Sequence, residues 1–200
     1  MKHALASASN VRERLELFAE LLLKWNRTIN LVGRADEKSI WDRHICDSLQ
    51  LQRFIPVRLD RAVDLGSGGG FPGIVLAVAT GVTWDLVEAN QRKATFLREA
   101  ARITAAPVRI HAVRAERAVL DSTKLVTARG VAPLVDLLAL SYPLLASGAV
   151  CIFPKGRGAA KELTLAKVQW HMRVQEVPSQ TGSSSTIFLL SEISPVEYSY

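Results

Sequence analysis

Cysteine is nearly absent. Only Cys46 and Cys151 occur in 200 residues, so no disulfide framework staples the fold and no cysteine-based metal cluster is expected. Cys46 sits in a helical pattern and Cys151 in an apolar strand pattern, which predicts buried, reduced thiols. A secretory leader is missing too: Met1 to Asn10 has no apolar core. No apolar run reaches the roughly 20 residues that a membrane helix needs. These absences predict a soluble, cytoplasmic protein with no membrane partner. Internal repeats are lacking, and nothing marks a second full-sized domain.

Acidic residues are outnumbered, 19 against 25 Lys and Arg, for a net charge of +6. Between Gln91 and Gly130 nine basic residues face three acidic ones, so that stretch alone matches the whole excess. A basic face suits a polyanionic partner, most simply nucleic acid; a solvated surface is the plain alternative. Aromatics make up only 6% of the chain, and no aromatic-studded strand pattern of the kind that stacks single-stranded bases is present. Hydrophobic residues reach 48%, enough for a sizeable core in one domain with a small appendage.

The appendage comes first. Residues 1–9 are small and polar and are expected to be loose. Asn10 and Glu13 resemble a capping box, ahead of Val11, Leu15, Phe18, Leu22 and Trp25 at helical spacing. Asp36 can cap a second helix over about 37–54, on which His44 shares a face with Asp47 and Ser48. A His–Asp catalytic pair is one reading of that cluster. The favoured one is a hydrogen-bonded patch that fixes this region to the main sheet. Residues 1–58 are thus expected to form an N-terminal helical extension on a core spanning 59–193, with 194–200 as a tail.

The core opens on its most informative stretch. Ala62, Val63 and Leu65 make a short apolar strand with Asp64 inside it; Gly66, Gly68, Gly69 and Gly70 follow, then Phe71, Pro72 and Gly73 lead into an apolar helix. This is a buried strand, a glycine turn and a helix start, where free N–H groups meet polar or anionic ligands. Gly68, Gly70 and Gly73 satisfy the dinucleotide pattern G-x-G-x-x-G, a weak match inside a glycine cluster. Asp64, two residues before the first glycine, argues against that pattern. Val63-Asp64-Leu65-Gly66-Ser67-Gly68-Gly69-Gly70 looks instead like motif I of the S-adenosylmethionine-dependent methyltransferases, in which Asp64 would help to hold the methionine part of the ligand.

Strand and helix patterns then alternate: strands near 84–88, 109–113, 125–128, 148–153, 168–177 and 185–193, helices near 72–80, 91–105 and 133–145, and a flexible loop over 180–185. This predicts an α/β fold, a seven-stranded, mostly parallel sheet with helices on both faces and an N-terminal helical cap; with the motif I resemblance it implies the Rossmann-like class I methyltransferase fold. Glu88 ends the second strand 20 residues after Gly68, where an acid accepts hydrogen bonds from ribose hydroxyls of S-adenosylmethionine or NAD alike. Ala115 and Glu116 follow the third strand, where adenine would pack; Glu116 is equally a plain helix N-terminal acid. Arg129 leaves the carboxyl end of the fourth strand, where open α/β sheets place chemistry. Arg92, Lys93 and Arg98 on the 91–105 helix, with Lys155 and Arg157 after the fifth strand, are candidate phosphate contacts.

Several segments together resemble one family, the bacterial small-subunit ribosomal RNA guanine-N7 methyltransferases, also called the glucose-inhibited division protein B family. They are Lys24-Trp25-Asn26 with Asn30-Leu31, Arg43-His44-Ile45 with Asp47-Ser48, the loop from Asp64 to Gly73, Arg92-Lys93 with Phe96-Leu97, Arg114-Ala115-Glu116, Ala128-Arg129 and Lys155-Gly156. The resemblance implies S-adenosylmethionine as cofactor, with contacts at Gly66, Phe71, Ala115, Glu116 and Arg129. It also implies 16S ribosomal RNA, in the small ribosomal subunit or an assembly intermediate, as partner; a monomer is expected. Two departures stand out. Residue 69 is glycine where Ala or Pro is usual, and Ser194 to Tyr200 ends acidic and aromatic where relatives often end basic.

Guanine N7 offers a free lone pair, so no general base is needed and none is assigned. Arg129 or Lys155 could hydrogen-bond guanine O6. The sequence has no Asn-Pro-Pro-Tyr or Asp-Pro-Pro-Tyr after the fourth strand, as amino methylation would suggest, and no loop cysteine for 5-methylcytosine chemistry. The alternatives are a methyltransferase acting on another RNA or a small molecule, an NAD-dependent oxidoreductase, and a non-catalytic RNA-binding module.

Overall fold

The computed structural model describes residues 2–182 and 184–197, with side chains from Asn10 onward. Seven strands form one sheet in the order β3-β2-β1-β4-β5-β7-β6. The strands are β1 (Arg61–Leu65), β2 (Thr83–Val87), β3 (Val108–His111), β4 (Thr123–Ala128), β5 (Leu145–Lys155), β6 (Trp170–Pro178) and β7 (Thr186–Pro195). The first five pair in parallel. β7 inserts antiparallel between β5 and β6. Chain order reverses between β1 and β4, which opens a crevice at their carboxyl ends.

Alternation along the strands divides the core. On one face Ala62, Leu86 and Ile152 pack beneath α1 (Lys2–Asn26), α3 (Gly73–Thr80) and α4 (Gln91–Thr104), with Leu15, Phe18, Leu22, Ile74 and Phe96 in the same cluster. On the other, Val63, Leu65, Val126 and Phe153 meet Leu134, Leu137 and Leu163 of α5 (Leu134–Ser141) and α6 (Ala159–Gln169). The N-terminal region is thereby part of one hydrophobic cluster with the sheet. Its α1 also ends a neighbouring helix: Arg14 Nε donates to Thr104 O at 2.6 Å and its guanidinium to Ala105 O at 3.0 Å, satisfying carbonyls at the last turn of α4. Asn90 caps the other end, accepting from the Arg92 and Lys93 amides.

Five expectations need correction. The first helix starts at Lys2, within the stretch read as loose; its Ala-rich composition favours helix without a cap at Asn10. The second helical region is no single α-helix: a 3-10 stretch (Arg34–Ser39), a π-helical stretch (Trp41–Cys46), one α turn α2 (Asp47–Leu49) and a 3-10 stretch (Gln50–Phe54) succeed one another. Helix α6 was not predicted, although Leu163 and Ala166, three apart, bury one side of it. The loop read as flexible is tied down at its start: Thr181 Oγ1 donates to Asp47 Oδ1 at 2.7 Å and the Gln180 amide to Gln50 Oε1 at 2.9 Å. The tail, for its part, begins later than expected because β7 runs to Pro195, and residues 198–200 lie outside the described residues.

Candidate active site

The crevice at the carboxyl edge is a cleft of about 480 Å³, lined by the glycine loop, Glu88, Arg114, Ala115, Glu116 and the 129–132 segment, with Leu31, Val32 and His44 from the N-terminal region. That volume lies in the range of small-molecule sites. Its floor depends on glycine. Gly66 takes φ +64, and a Cβ there would lie 2.5 Å from Val131 Cγ2. Gly68 takes φ +54, and a Cβ there would meet only Gly66 O, at 3.7 Å, so backbone alone faces the cleft.

Glu88 is held from below. Its Oε2 accepts the Gly68 amide at 2.8 Å and its Oε1 the Asn90 amide at 2.7 Å. Each carboxylate oxygen keeps a lone pair for a ligand hydroxyl. Ala115 and Glu116 stand in a 3-10 turn (Ala115–Arg117) on the cleft wall.

Asp64 does not reach the cleft. Val63 and Leu65 point to the α5–α6 face, so Asp64, the residue between them, points to the opposite face under the first turn of α3. It is fully buried. Oδ1 accepts from Thr127 Oγ1 at 2.7 Å. Oδ2 closes no hydrogen bond of ordinary geometry, though the Gly73 amide lies near enough to ease its charge. Burial pushes the carboxyl up to about 6, against the pull of Thr127. Asp64 therefore supports the loop from behind and is not a direct contact.

Arg129 forms the opposite wall. One guanidinium nitrogen donates to Asp47 Oδ2 at 2.9 Å and the other to His44 Nδ1 at 2.9 Å. Its Cζ lies 5.1 Å from the centroid of Phe71, and His44 stacks on the same ring at 5.0 Å. Asp47 also accepts from Gln50 Nε2 and Thr181 Oγ1. Burial and the Arg129 charge hold the imidazole of His44 below its ordinary pKa.

Lys155 is occupied elsewhere. Its Nζ donates to Ala132 O and to Glu162 Oε2, both at 2.8 Å, and only 9% of its side chain is exposed. Glu162 Oε2 also accepts the Leu134 amide at the start of α5. This placement does not fit a guanine or phosphate contact; Lys155 props the Ala132 segment of the wall. Lys93 lines the cleft, whereas Arg92 is exposed on the first turn of α4. Arg98 lies in a shallow groove with Lys24, Trp25 and Arg102, away from the cleft, and Arg157 is exposed beyond β5. Among the described residues no three His, Cys, Asp or Glu side chains could hold a metal ion.

This strand order, with a glycine loop after β1 and an acid at the end of β2, defines the class I S-adenosylmethionine-dependent methyltransferase fold. A TehB-like S-adenosylmethionine-dependent methyltransferase from Corynebacterium glutamicum shares it, with TM-score 0.56 at 15% identity over 73% of this chain and 86% of that one. The model of the GidB family, rRNA small subunit methyltransferase G, matches residues 11–187. Ribosomal RNA small subunit methyltransferase G of Granulibacter bethesdensis is 50% identical over 184 residues, covering 92% of this chain and 86% of the relative. The Rhodospirillum centenum protein of the same name is 49% identical over 183 residues, covering 92% and 85%. The chain belongs to the GidB family.

Proposed function

We propose that this protein transfers a methyl group from S-adenosylmethionine to N7 of a guanine in 16S ribosomal RNA. The observation that carries the reading is the glycine-floored cleft with Glu88 at its rim, in a chain of the GidB family. S-adenosylmethionine supplies an activated methyl group on a sulfonium. Glu88 would take the ribose hydroxyls, Ala115 and Glu116 the adenine, and the Gly66–Gly68 backbone would pass beneath the nucleoside. Phe71 and Arg129 would close the methionine side.

The residues suit a lone-pair nucleophile. His44 already accepts a hydrogen bond from Arg129 and does not serve as a base, and N7 needs none. Rate acceleration then comes mainly from proximity and orientation, on the order of 7–11 kcal/mol. Arg92, Lys93, Arg98 and Arg157 would meet phosphates, so affinity for RNA should fall steeply with salt. The protein would act as a monomer in the cytoplasm, on the small subunit or an assembly intermediate. No helix among the described residues is long and apolar enough to cross a membrane.

The test is methyl transfer from tritiated S-adenosylmethionine to small subunits that lack the modification, with naked 16S RNA and large subunits as controls. Reduction and aniline then cut at N7-methylguanine. One cut site in small-subunit RNA is the expected result. Cofactor binding with no label on any RNA would favour a small-molecule enzyme or a binding module instead.

A further inference from the structure

His44 is the cleft residue with the most unusual surroundings. It lies in the π-helical stretch, and His44 and Asp47, three positions apart, address one guanidinium. A guanidinium only donates hydrogen bonds, so Nδ1, 2.9 Å from Arg129, must present its lone pair. The imidazole proton therefore sits on Nε2. That nitrogen is buried and closes no hydrogen bond; Asp36 Oδ2 lies 3.5 Å from it. The ring stacks on Phe71, whose centroid also lies 5.1 Å from Arg129 Cζ. Three side chains from three distant segments thus make one wall, and a single nitrogen lone pair joins two of them.

We propose that neutral His44 is a positioning residue which locks Arg129 and Phe71 into the cofactor-facing wall of the cleft, and that a second ring proton unlocks it. A proton on Nδ1 would face the Arg129 guanidinium across 2.9 Å with a donor against a donor. The charges around the ring pull in both directions. Arg129 on the sheet side and Arg43 on its own turn oppose protonation, while Asp36 and Asp47 favour it. Asp64, beneath the loop that carries Phe71, acts on Arg129 from behind. Burial adds to the two arginines, so His44 gains its proton only below the ordinary histidine range. The cleft wall is closed at neutral pH and loosens on acidification. The inference rests on the cleft being the S-adenosylmethionine site, but part of its test does not.

The cofactor-free protein, labelled with 15N, gives the first readout. Long-range proton–nitrogen correlation should show His44 as the Nε2–H tautomer, titrating below pH 6.5. An Nδ1–H tautomer, or titration at or above that value, overturns the proposal without any ligand. Calorimetry with S-adenosylhomocysteine, a probe with no sulfonium charge, gives the second. Wild-type affinity should drop as pH falls through the His44 titration, by about tenfold if that pKa moves one unit on binding. His44→Asn keeps an acceptor oxygen near the Nδ1 position and cannot titrate. It should bind more weakly at pH 7.5 yet lose most of the pH dependence; what remains belongs to Asp36, Asp47 and other carboxylates. His44→Phe keeps the stack, loses the acceptor and should bind weakly at every pH. A wild-type affinity that is flat from pH 5 to 7.5, or a His44→Asn profile like the wild type's, overturns the proposal. No binding of the probe by the wild type at any pH counts against the cofactor reading instead.

Discussion

On the β1–β2–β3 side of the crevice, ligand-facing groups are placed by backbone. Gly66 and Gly68 present main chain to the cleft, and Glu88 is fixed by the amides of Gly68 and Asn90. On the β4–β5–β7 side the wall is placed by side chains. Arg129 is held by His44 and Asp47, Asp47 by Gln50 and Thr181, and the 132 segment by Lys155 with Glu162. The first kind of construction has little freedom to move, because a peptide group cannot turn away without breaking its strand or helix. The second has several rotatable bonds per contact and several titratable groups. A fixed floor beside an adjustable wall suits an enzyme of a family that acts on ribosomal RNA.

The largest expected effect breaks the backbone side. Gly73 begins α3, and a Cβ there would lie 2.4 Å from Leu86 Cδ2 and 2.8 Å from Asp64 Oδ2. Both neighbours are fully buried, so neither can move aside. Gly73→Ala should cost about 3 kcal/mol in urea unfolding, as overpacked cores do. Gly156, with open space around its Cβ position, is the control, and Gly156→Ala should change stability by under about 0.5 kcal/mol. Equal effects at the two positions would mean that the floor is not tightly packed.

The next effect lies under the same loop and depends on pH. Unfolded Asp64 loses its proton near 3.8, and the folded residue near 6. Between those values the folded state holds the extra proton, so stability due to this group is lost as pH rises through the window and is flat above it. Asp64→Asn has no such proton. Stability of the wild type relative to the variant should therefore fall between pH 4 and 6, by up to about 3 kcal/mol. Unfolding of both proteins at pH 4, 5, 6 and 7.5 measures it. A constant difference would show that Asp64 ionises as it does in water.

Breaking the side-chain wall should have a smaller effect on the fold and a broader one on binding. Arg129→Ala leaves Asp47 and His44 without their shared donor, which costs about 2 kcal/mol of stability. It should also weaken S-adenosylmethionine binding and lower turnover together. In a double-mutant cycle with Asp47→Asn the coupling should exceed about 0.5 kcal/mol, the level that independent sites do not reach. Unchanged turnover and unchanged cofactor affinity would remove Arg129 from the site altogether.

The same division explains what could be read from the sequence. The backbone side was legible because its signals are local. Gly68 and Glu88 are spaced as one strand–turn–helix–strand unit requires, and Asn90 announces α4 by its position alone. Asp64 was misplaced for an equally local reason: its neighbours' alternation turns it away from the cleft, a consequence of strand geometry that the motif pattern hides. The side-chain wall joins residues far apart in the chain. His44 and Asp47 meet Arg129 across 85 and 82 positions, and Asp47 meets Thr181 across 134. Sequence showed the His44–Asp47 face and the lone Arg129 as separate features, with nothing local to join them. Leu31, Val32 and Val131 went unnoticed as lining residues because apolar side chains carry no chemical signature. At residue 69 a Cβ would stand 3.1 Å from Leu31 O, so the glycine goes with a close approach of the N-terminal region.

The smallest effect separates two basic residues that sequence grouped together. Lys155 and Arg157 are two positions apart, but Lys155 is turned inward onto Glu162 and Ala132, while Arg157 is exposed. Lys155→Met removes one donor from a largely buried pair and should cost about 1 kcal/mol of stability. It should leave the dependence of RNA affinity on salt as it was. Arg157→Ala should do the reverse, with no change in unfolding and a salt slope reduced by about one phosphate contact. Filter binding to 16S RNA between low and moderate salt, beside urea unfolding, reads both quantities for both variants. A reduced slope in Lys155→Met would mean that the lysine leaves Glu162 when RNA arrives, and the wall on the β4–β5 side would then be movable in the complex as well as titratable in the free protein.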